Sequence, residues 1–498
     1  MPDRTRKRRD KFMPDVNTSR RRSRYNNDIC NDSMTFEECE LAIVHHAVDE
    51  SENIKGAKLV NNEEVIKMLK IVEDFIIQKK LVCYGGTAIN NILPKYAQFY
   101  NRDLEIPDYD FFSPNALNDA IELADIYHAA GYMDVEAKSG VHYGTFKVFV
   151  NFIPIADITL LNKQIFDAIS KDSIKIANIR YAPPNYLRMG MYLELSRPAG
   201  DVSRWEKVFK RLTLLNKFYP LKTTKECNTV DFSKKIDIDS PDVEQQHVII
   251  RDALVDNGVI FFGGYSTYLY STYMNKNDEQ LVKRIPDFDV IIDDPNKCAL
   301  IVKERLVDNG FKNIKIVPHD AIGEIIPKHV ELIVGKHSMA FLYEPIACHS
   351  YNQIVVDKAT VNVATIETIL AFYLSFIYAD MPHYDKDRLL CIAEFLFDVQ
   401  RRHKLSQSGI LKRLSINCYG KQQTLDDIRS EKASKHKELR NQKNTKEYKM
   451  WFLRYNPENP TENDIDKKPK PSANNKTRKA AAVAAPESPG ILTKLFGI

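Results

Sequence analysis

The sequence has few cysteines, no long apolar run and little net charge, and each of these absences excludes a class of protein. Its 498 residues include eight cysteines, no two of them at the spacing of a metal-binding pair. No uninterrupted apolar run is long enough to cross a bilayer, and no stretch of signal-peptide type stands near the N-terminus. We therefore expect a soluble, intracellular protein without membrane association, whose cysteines are reduced and buried.

The net charge of +4 means that any polyanion must be met by local concentrations of Lys and Arg. The densest basic segment lies near the N-terminus and comprises Arg4, Arg6, Lys7, Arg8, Arg9, Lys11, Arg20, Arg21, Arg22 and Arg24. Such a run repels itself and is expected to be disordered on its own. It could add nonspecific affinity for RNA or act as a nuclear address, and a solvated tail without a dedicated role is the alternative.

One pattern of glycines and aspartates occurs twice. Gly85-Gly86-Thr87 precedes Ile106-Pro107-Asp108-Tyr109-Asp110, and Gly263-Gly264-Tyr265-Ser266 precedes Ile285-Pro286-Asp287-Phe288-Asp289. The step from the first glycine to the first aspartate is 23 residues in one copy and 24 in the other. The length suggests two large domains, and a globular composition allows each to bury a core. A tandem duplication therefore explains the pattern better than coincidence.

Hydrophobic spacing indicates how the first copy is built. It predicts a helix over residues 63–80 and a short strand over 81–84. A helix begins again near Thr87, so the glycine pair lies at a strand-to-helix junction. The aspartates then fall in a strand, and residues 145–161 are predicted as a further strand with Asp157 inside it.

These residue types suit the handling of a nucleoside triphosphate. Asp108 and Asp110 point to one face of a strand, and two carboxylates held so close are tolerated chiefly with a divalent cation between them. Asp157 on the next strand would complete a site for two ions, and a purely structural Asp157 is the alternative. The backbone N–H groups of Gly85, Gly86 and Thr87 can face phosphate oxygens.

Positive charge for the triphosphate has several candidate sources. Arg204, Lys207 and Arg211 share one face of a predicted helix, at the spacing i, i+3 and i+7. A solvated helix face, with Glu206 paired to Lys210, is the alternative interpretation. Arg188 is a further candidate.

The motifs together resemble a known family. Gly85-Gly86-Thr87, Asp108-Tyr109-Asp110 and Asp157 resemble the signature of the DNA polymerase beta-like nucleotidyltransferase superfamily. Residues 182–198 and 200–212 resemble the poly(A) polymerase catalytic subunit of large nucleocytoplasmic DNA viruses, giant viruses included. This similarity extends over roughly residues 60–400.

The resemblance implies template-independent addition of AMP from ATP to the 3′ end of single-stranded mRNA, with release of pyrophosphate. It implies Asp108, Asp110 and Asp157 as ligands of two Mg²⁺ ions, with Mn²⁺ as an alternative, and Gly85, Gly86 and Thr87 as the phosphate-binding turn. Asp157 is the natural acceptor of the 3′-hydroxyl proton, and metal-bound water is the alternative. Relatives work as homodimers or with a helper subunit. We expect a homodimer, located in the host cytoplasm at the viral factory and also in the virion.

We therefore predict an α/β fold of the α+β type, with two tandem nucleotidyltransferase-like domains. Each domain is a small mixed sheet flanked by helices, and both termini are disordered. The predicted division is a basic tail (1–35), a catalytic domain (36–225), a linker (226–245), a degenerate domain (246–445) and a C-terminal tail (446–498).

The second copy is predicted to be inactive and kept for architecture, RNA contact or assembly. Asp287 and Asp289 persist, but Glu331 is only the best counterpart of Asp157, and Tyr265 introduces a bulky ring beside the turn. Two alternatives remain open at this level. One is a related enzyme with a different nucleotide or acceptor, and the other is a non-catalytic RNA-binding scaffold.

Overall fold

The structure, a computed structural model, describes residues 29–459 except 32, 102, 222, 224, 233–240, 283–286, 380 and 382. The described part contains two mixed sheets of eight strands each, flanked by helices, which confirms the predicted fold class. The predicted disordered tails lie largely outside the described residues. No described helix combines the length and the apolar character that crossing a bilayer requires.

The first half of the chain supplies seven helices and seven strands to the described fold. The helices are α1 (Phe36–Val60), α2 (Glu63–Lys79), α3 (Gly85–Ile92), α4 (Ala116–Ala129), α5 (Lys163–Lys171), α6 (Pro184–Leu195) and α7 (Trp205–Phe218). The strands are β1 (Val82–Cys83), β2 (Tyr109–Ser113), β3 (Val135–Ser139), β4 (Thr145–Val150), β5 (Ile153–Leu160), β6 (Ile174–Ile176) and β7 (Ile179–Tyr181).

The second half continues the same alternation of helices and strands. Its described helices are α8 (Pro241–Asp256), α9 (Gly264–Ser271), α10 (Lys276–Val282), α11 (Pro295–Asp308), α12 (Ile366–Phe376), α13 (Lys386–Arg402), α14 (Leu425–Leu439) and α15 (Lys446–Phe452). Its described strands are β8 (Ile260–Phe261), β9 (Phe288–Ile291), β10 (Ile314–His319), β11 (His329–Val334), β12 (His337–Tyr343), β13 (His349–Val356), β14 (Ala359–Ala364), β15 (Cys418–Tyr419) and β16 (Arg454–Tyr455).

The two sheets share the order of seven strands, and the eighth strand, β16 or β15, is added at opposite ends. The first has the order β16-β3-β4-β5-β2-β1-β7-β6, and the second has the order β10-β11-β12-β9-β8-β14-β13-β15. At the centre of the first sheet, β2 pairs parallel with β5 and antiparallel with β1. At the centre of the second sheet, β9 likewise pairs parallel with β12 and antiparallel with β8. A second parallel pair (β1 and β7, or β8 and β14) follows in both. The sequence repeat is therefore a structural duplication.

Local sequence explains where the elements of the site begin and end. Helix α2 buries Val65, Met68, Val72 and two further apolar residues on one face, and burial of such a side chain contributes about 1.5–3 kcal/mol. The predicted single strand over 145–161 is instead the β4–β5 hairpin. Asn151 and Phe152 both adopt positive φ there, which reverses the chain.

The two halves pack through corresponding helices. Helix α6 follows β7 in the first half, α12 follows β14 in the second, and these two helices lie against each other. The rings of Tyr186 and Tyr378 meet edge to face at 5.3 Å between centroids. The backbone N–H of Ser350 donates to the carbonyl of Ser196 at 2.8 Å. The duplicated helices thus form the junction between the copies.

The expectation that the cysteines are reduced is wrong for six of the eight. Disulfides join Cys30 to Cys39, Cys227 to Cys391 and Cys348 to Cys418. Cys83 and Cys298 are free and buried. Two of the pairs are separated by 164 and 70 residues, so linear spacing carries no sign of them.

The segment predicted as a C-terminal tail begins with regular structure. Helix α15 and strand β16 lie within residues 446–459, and the rest of this segment lies outside the described residues. Strand β16 pairs antiparallel with β3, with Arg454 opposite Lys138 and Tyr455 opposite Ala137. It therefore forms the edge of the first sheet, although it follows the second half in sequence.

Candidate active site

Two of the three predicted carboxylates lie side by side because β2 and β5 run parallel as neighbours. Asp110 on β2 is the register partner of Asp157 on β5. Adjacent strands lie about 4.8 Å apart, and register partners project to the same face. Asp108 stands directly ahead of β2, two residues before Asp110, so extended backbone brings its side chain to that face as well.

The electrostatics of this cluster show mutual repulsion. Burial, followed by the charges of Asp108 and Asp157, raises the pKa of Asp110 to about 8, with Lys147 and Arg211 opposing the rise. The pKa of Asp108 is also raised, first by the loss of solvation within the cleft and then by Asp157. The Asp108 side chain nevertheless stays exposed at the rim. A divalent cation would relieve both effects.

Lys147 provides the positive charge nearest to Asp157. It lies on β4 opposite Asp157 on β5, and its Nζ donates to Asp157 Oδ2 at 2.7 Å. The Asp157 side chain is 20% exposed and that of Lys147 is 39% exposed. The β4–β5 hairpin therefore places a positive charge next to the carboxylate cluster.

The glycine turn lies against the same carboxylates. Helix α3 begins at Gly85, which has φ +72, and a Cβ at this position would come within 2.6 Å of Asp110 Oδ2. The backbone N–H of Tyr84 donates to the Asp110 carbonyl at 2.9 Å. Thr87 is buried, and its hydroxyl donates to the Asp108 carbonyl at 2.7 Å. Thr87 therefore fixes the turn to the start of β2.

Arg211 reaches the turn from helix α7. A Cβ on Gly86 would meet both terminal nitrogens of Arg211 at 3.1 Å. The guanidinium lies over the rings of Phe99 and Tyr100, at 5.0 and 5.6 Å from their centroids. It also donates to the Tyr100 hydroxyl at 2.7 Å. Stacking and this hydrogen bond hold the cation beside the turn.

The other two cations predicted on this helix face differ in their surroundings. Burial and two neighbouring arginines lower the pKa of Lys207, as expected for a cation inside a positive cluster. Arg204 pairs with Glu194 at 3.2 Å. Glu206 pairs with Lys210 at 2.6 Å, as the solvated-face alternative required, on exposed side chains. The interpretation as a cationic helix face thus describes Lys207, and the alternative of a solvated face describes Glu206 and Lys210.

Arg188 is not brought to the turn. It is fully buried on α6, where its guanidinium donates to Asn185, to Asn216 at 2.7 Å and to the carbonyl of Tyr219. These acceptors join the start of α6 to the end of α7. The structure therefore gives Arg188 a packing role, and the predicted contact with nucleotide has no support in its position.

The described residues suit a cation that keeps ligands from its substrate. Among the described residues, no group of three or more His, Cys, Asp or Glu is placed to hold a metal ion by itself, and this includes the three aspartates. Mg²⁺ is usually bound by one or two carboxylates together with substrate phosphates, so a full cage is not required. Crowded carboxylates with raised pKa values beside a glycine turn fit that donor set.

Sequence reasoning missed several residues around the cluster. Lys147 interrupts an apolar alternation in β4, and a lone lysine within such a strand was the available signal. The ring of Tyr84 stacks on Phe112 at 3.8 Å, and its hydroxyl lies 2.9 Å from that of Thr159. Tyr100 comes from a loop without periodicity. Only its contact with Arg211 in the structure shows that Tyr100 belongs to the site.

The second copy lacks the third carboxylate. By register, Phe341 on β12 is the partner of Asp289 and therefore occupies the position of Asp157. Glu331 on β11 lies opposite Phe341, as Lys147 lies opposite Asp157. The proposed equivalence of Glu331 and Asp157 is therefore wrong. Glu331 takes the place of the lysine, and an aromatic ring replaces the aspartate.

Hydrogen bonds hold Glu331 in its place. Ser338 donates to one of its oxygens, and a ring nitrogen of His319 lies 2.9 Å from the other. Burial raises the pKa of Glu331, but these two hydrogen bonds and His383 outweigh it, so its pKa lies below the ordinary value. Both oxygens of the Glu331 carboxylate thus already have hydrogen-bond partners within the protein.

The second glycine turn also lies against its own carboxylates. A side chain on Gly263 would overlap Asp289, and a Cβ on Gly264 would come within 2.6 Å of Asp287 Oδ1, the same distance as in the first turn. The sequence suggested that the ring of Tyr265 faces the position of a phosphate, but this ring is buried against aromatic rings of β8 and β9. The difference between the copies is therefore the missing third carboxylate and not the tyrosine.

Comparisons with known proteins agree with the geometry of the first copy. Residues 70–201 match the family model described as the poly(A) polymerase catalytic subunit. A protein named as such a subunit in African swine fever virus (isolate Tick/Malawi) is 37% identical over 180 residues, which is 34% of this chain and 38% of the relative. Its counterpart in Acanthamoeba polyphaga mimivirus is 31% identical over 232 residues, 43% of this chain and 37% of the relative. The matched region is thus under two fifths of the length of these relatives.

A crystal structure of the Megavirus polyadenylate synthase has the same fold as this chain. The TM-score is 0.70, the sequence identity is 19%, and the match covers 88% of each chain. The similarity to the viral poly(A) polymerase catalytic subunit that the motifs suggested is confirmed by the family match over residues 70–201. Through the second half, the similarity shown is that of the fold.

Proposed function

We propose that this chain is a polynucleotide adenylyltransferase, which adds AMP from ATP to the 3′ ends of mRNA without a template and releases pyrophosphate. The observation that carries the proposal is the register of Asp110 and Asp157 beside the Gly85 turn. These residues fall inside the segment that matches the poly(A) polymerase catalytic subunit. The missing third carboxylate of the second copy, where Phe341 is the register partner of Asp289, supports assigning the reaction to the first copy alone.

In this proposal Asp108, Asp110 and Asp157 hold two divalent cations, with Mg²⁺ preferred and Mn²⁺ as an alternative. When bound, such ions activate the attacking hydroxyl and neutralise charge on the triphosphate and its leaving group. The chain contributes the spacing of the carboxylates, which β2 and β5 fix. It also contributes the burial of Asp110, which strengthens the charge interactions of this carboxylate.

Asp157 is our candidate for the acceptor of the 3′-hydroxyl proton. Lys147 engages Oδ2 of this carboxylate, which leaves Oδ1 for the hydroxyl. Holding one oxygen also fixes the plane of the group. Lys147 therefore acts as a positioning residue for the acceptor and lowers the repulsion that Asp110 and Asp108 would otherwise exert on it.

The triphosphate lies, in this proposal, between the backbone N–H groups of the first turn and the cations of α7. Arg211 stands beside Gly86, and Lys207 lies one turn earlier on the same helix. Arg204 contributes less because Glu194 already engages it. A planar guanidinium donates two parallel hydrogen bonds to a phosphate, which makes Arg211 the strongest candidate.

An extension assay tests the reaction. Purified protein is incubated with Mg²⁺, an RNA ending in oligo(A) and each nucleoside triphosphate in turn, and the products are separated by length. We expect long products with ATP alone. Single additions, or equal use of all bases, would favour an enzyme with another nucleotide or acceptor. No extension by folded protein would favour an RNA-binding scaffold.

A matched pair of variants tests which copy carries the reaction. Asp108→Ala should lower the extension rate by on the order of 10³-fold, equivalent to about 4 kcal/mol of transition-state stabilisation. Asp287→Ala removes the corresponding carboxylate of the second copy and should leave a substantial rate. Equal losses in both variants would mean two working sites and would contradict the assignment.

Three further parts of the proposal come from the resemblance. Residues 36–225 form the catalytic domain, and residues 246–445 form a degenerate domain kept for architecture, RNA contact or assembly. The protein works as a homodimer. It acts in the cytoplasm of an infected host cell, at the viral factory, with the virion as a second location. Light scattering during size-exclusion chromatography tests the dimer, because a monomeric mass would contradict it.

A further inference from the structure

A basic cavity lies at the edge of the first sheet, away from the carboxylate cluster. Its volume is about 540 Å³, and its lining includes five cations: Lys79, Lys80, Lys171, Lys175 and Arg180. These residues come from the end of α2, the end of α5 and the edge strands β6 and β7. We call this feature the β6 cavity. Residues from four separate elements thus concentrate positive charge in one place.

Part of this charge already has protein partners. Lys79 pairs with Asp119 at 3.4 Å and with Glu122 at 2.6 Å. Arg180 donates to the hydroxyl of Ser170 at 2.8 Å. A cation at a helix C-terminus also complements the helix dipole, which gives these positions a structural reason. The remaining lysines need a separate explanation.

Lys80, Lys171 and Lys175 are exposed, and none of them lies within 4.0 Å of a carboxylate in the described part of the chain. The acidic residue in the lining, Asp167, pairs with Lys163. The cavity therefore keeps an excess of positive charge that faces solvent. Such an excess attracts phosphate oxygens and releases their counter-ions on binding.

The position of the cavity relates it to the first glycine turn. Lys80 precedes β1 and Gly85 follows it, so the two residues lie at opposite ends of this strand. Five residues of extended chain span about 16 Å. Because Val82 and Cys83 of this strand are buried, RNA that joins its two ends must follow a longer route over the protein surface. The one aromatic ring in the described lining, Phe166, is buried in the core and offers no stacking surface.

We propose that the β6 cavity binds phosphodiester groups of the RNA strand upstream of its 3′ end. The RNA then runs from the carboxylate cluster over the protein surface to the β6 edge of the sheet, where its backbone is held and its bases are not read. This inference rests on the proposed polymerase function and adds a path for the acceptor. The chemistry recognised is the repeated phosphate anion of a single strand.

The test compares RNA binding by two double variants of the full chain. Lys171→Ala with Lys175→Ala removes two exposed lysines of the cavity. Lys297→Ala with Lys312→Ala removes two exposed lysines of the second half and serves as the control for net charge. Fluorescence anisotropy in EDTA, without ATP, measures affinity for an oligo(A) of about 20 nucleotides and for one of about 4, at several salt concentrations.

The cavity variant should bind the long oligo(A) about tenfold more weakly than wild type, and its salt dependence should fall by about 1.4 log units per log unit of salt, as expected for two lost phosphate contacts. The short oligo(A), which ends before the cavity, should bind equally well to wild type and both variants. Thermal melting should show that both variants are folded, because all four lysines are exposed.

Unchanged binding of the long oligo(A) by the cavity variant would overturn the inference, as would equal losses for long and short RNA or for both variants. Binding is measured without catalysis, so the two proposals fail separately. A protein that extends RNA but binds it independently of these lysines refutes the cavity alone. A protein that shows the predicted binding but extends no RNA refutes the polymerase assignment alone.

Discussion

Two arginines predicted to bind phosphate occupy opposite environments. Arg188 is enclosed between α6 and α7, with its donors taken by protein oxygens. Arg211 lies over two aromatic rings beside the glycine turn. Helical spacing in the sequence predicted which face of α7 carried cations. It could not separate a buried arginine from one facing substrate, because that depends on packing between helices.

Alanine substitutions should separate these two roles. Arg188→Ala should lower the free energy of unfolding by about 3 kcal/mol, because several buried acceptors lose their donor. Arg211→Ala should leave thermal melting nearly unchanged and raise the KM for ATP at least tenfold. Melting curves and initial rates measure both effects. A large KM change in a stable Arg188→Ala protein would return that residue to the substrate site.

Asp110 gives the cluster a predictable pH dependence. Its pKa of about 8 in the folded chain exceeds the value of about 3.9 for an unfolded chain, so the folded state binds the proton more tightly. The stability that this proton contributes is fully present below about pH 4 and is lost as the pH rises through about 8. In EDTA, the melting temperature of wild type should therefore fall between pH 6 and pH 9.

Asp110→Asn is the control for this effect, because an amide does not titrate. The variant should melt about 2–4 °C above wild type at pH 9 in EDTA, keep about half of this difference at pH 6 and lose the rest near pH 4. Added Mg²⁺ should raise the melting temperature of wild type and leave that of the variant nearly unchanged. Parallel pH profiles for the two proteins would refute the repulsion inferred here.

At the scale of elements, the sequence predicted most helices and strands that surround the site. The glycine turn at the junction of β1 and α3 agrees with the structure, and α2 spans residues 63–79 against a predicted 63–80. The register between strands could not be predicted, since it depends on where each hairpin turns. For that reason Lys147 was missed and Glu331 was matched to the wrong residue.

The turn between β1 and α3 predicts a local effect of substitution. Gly85→Ala and Gly131→Ala each place a Cβ on a backbone with positive φ, which costs about 1–2 kcal/mol. At Gly85 the Cβ also meets Asp110, whereas nothing lies within 4 Å at Gly131. Both variants should lose stability, Gly85→Ala more because of this contact, but only Gly85→Ala should lose more than about 100-fold in extension rate. Comparable activity of the two variants would contradict the role of the turn.

At the scale of the whole molecule, the duplication was readable because two short motifs kept their spacing. The shared strand order extends it over both sheets. Long-range pairing could not be predicted from the sequence, which indicated neither the disulfides nor the return of β16 to the first sheet. Both depend on residues that are far apart in the chain and close in space.

The disulfide between Cys227 and Cys391 predicts a redox effect on stability. It closes a long loop and ties the segment after α7 to α13, so its reduction should cost about 3 kcal/mol. A reducing agent should lower the melting temperature by several degrees, and Cys227→Ser should remove part of that change. Alkylation of folded, unreduced protein should label no cysteine, because Cys83 and Cys298 are buried. Rapid labelling of all eight would contradict the pairing.

Strand β16 has a consequence for protein synthesis. The first sheet, which carries the carboxylate cluster, acquires its outer strand only after the entire second half has been translated. The first half therefore emerges from the ribosome with the edge of β3 unpaired, and unpaired edges recruit strands from other chains. A nascent chain interrupted between the copies would be left as an aggregation-prone fragment.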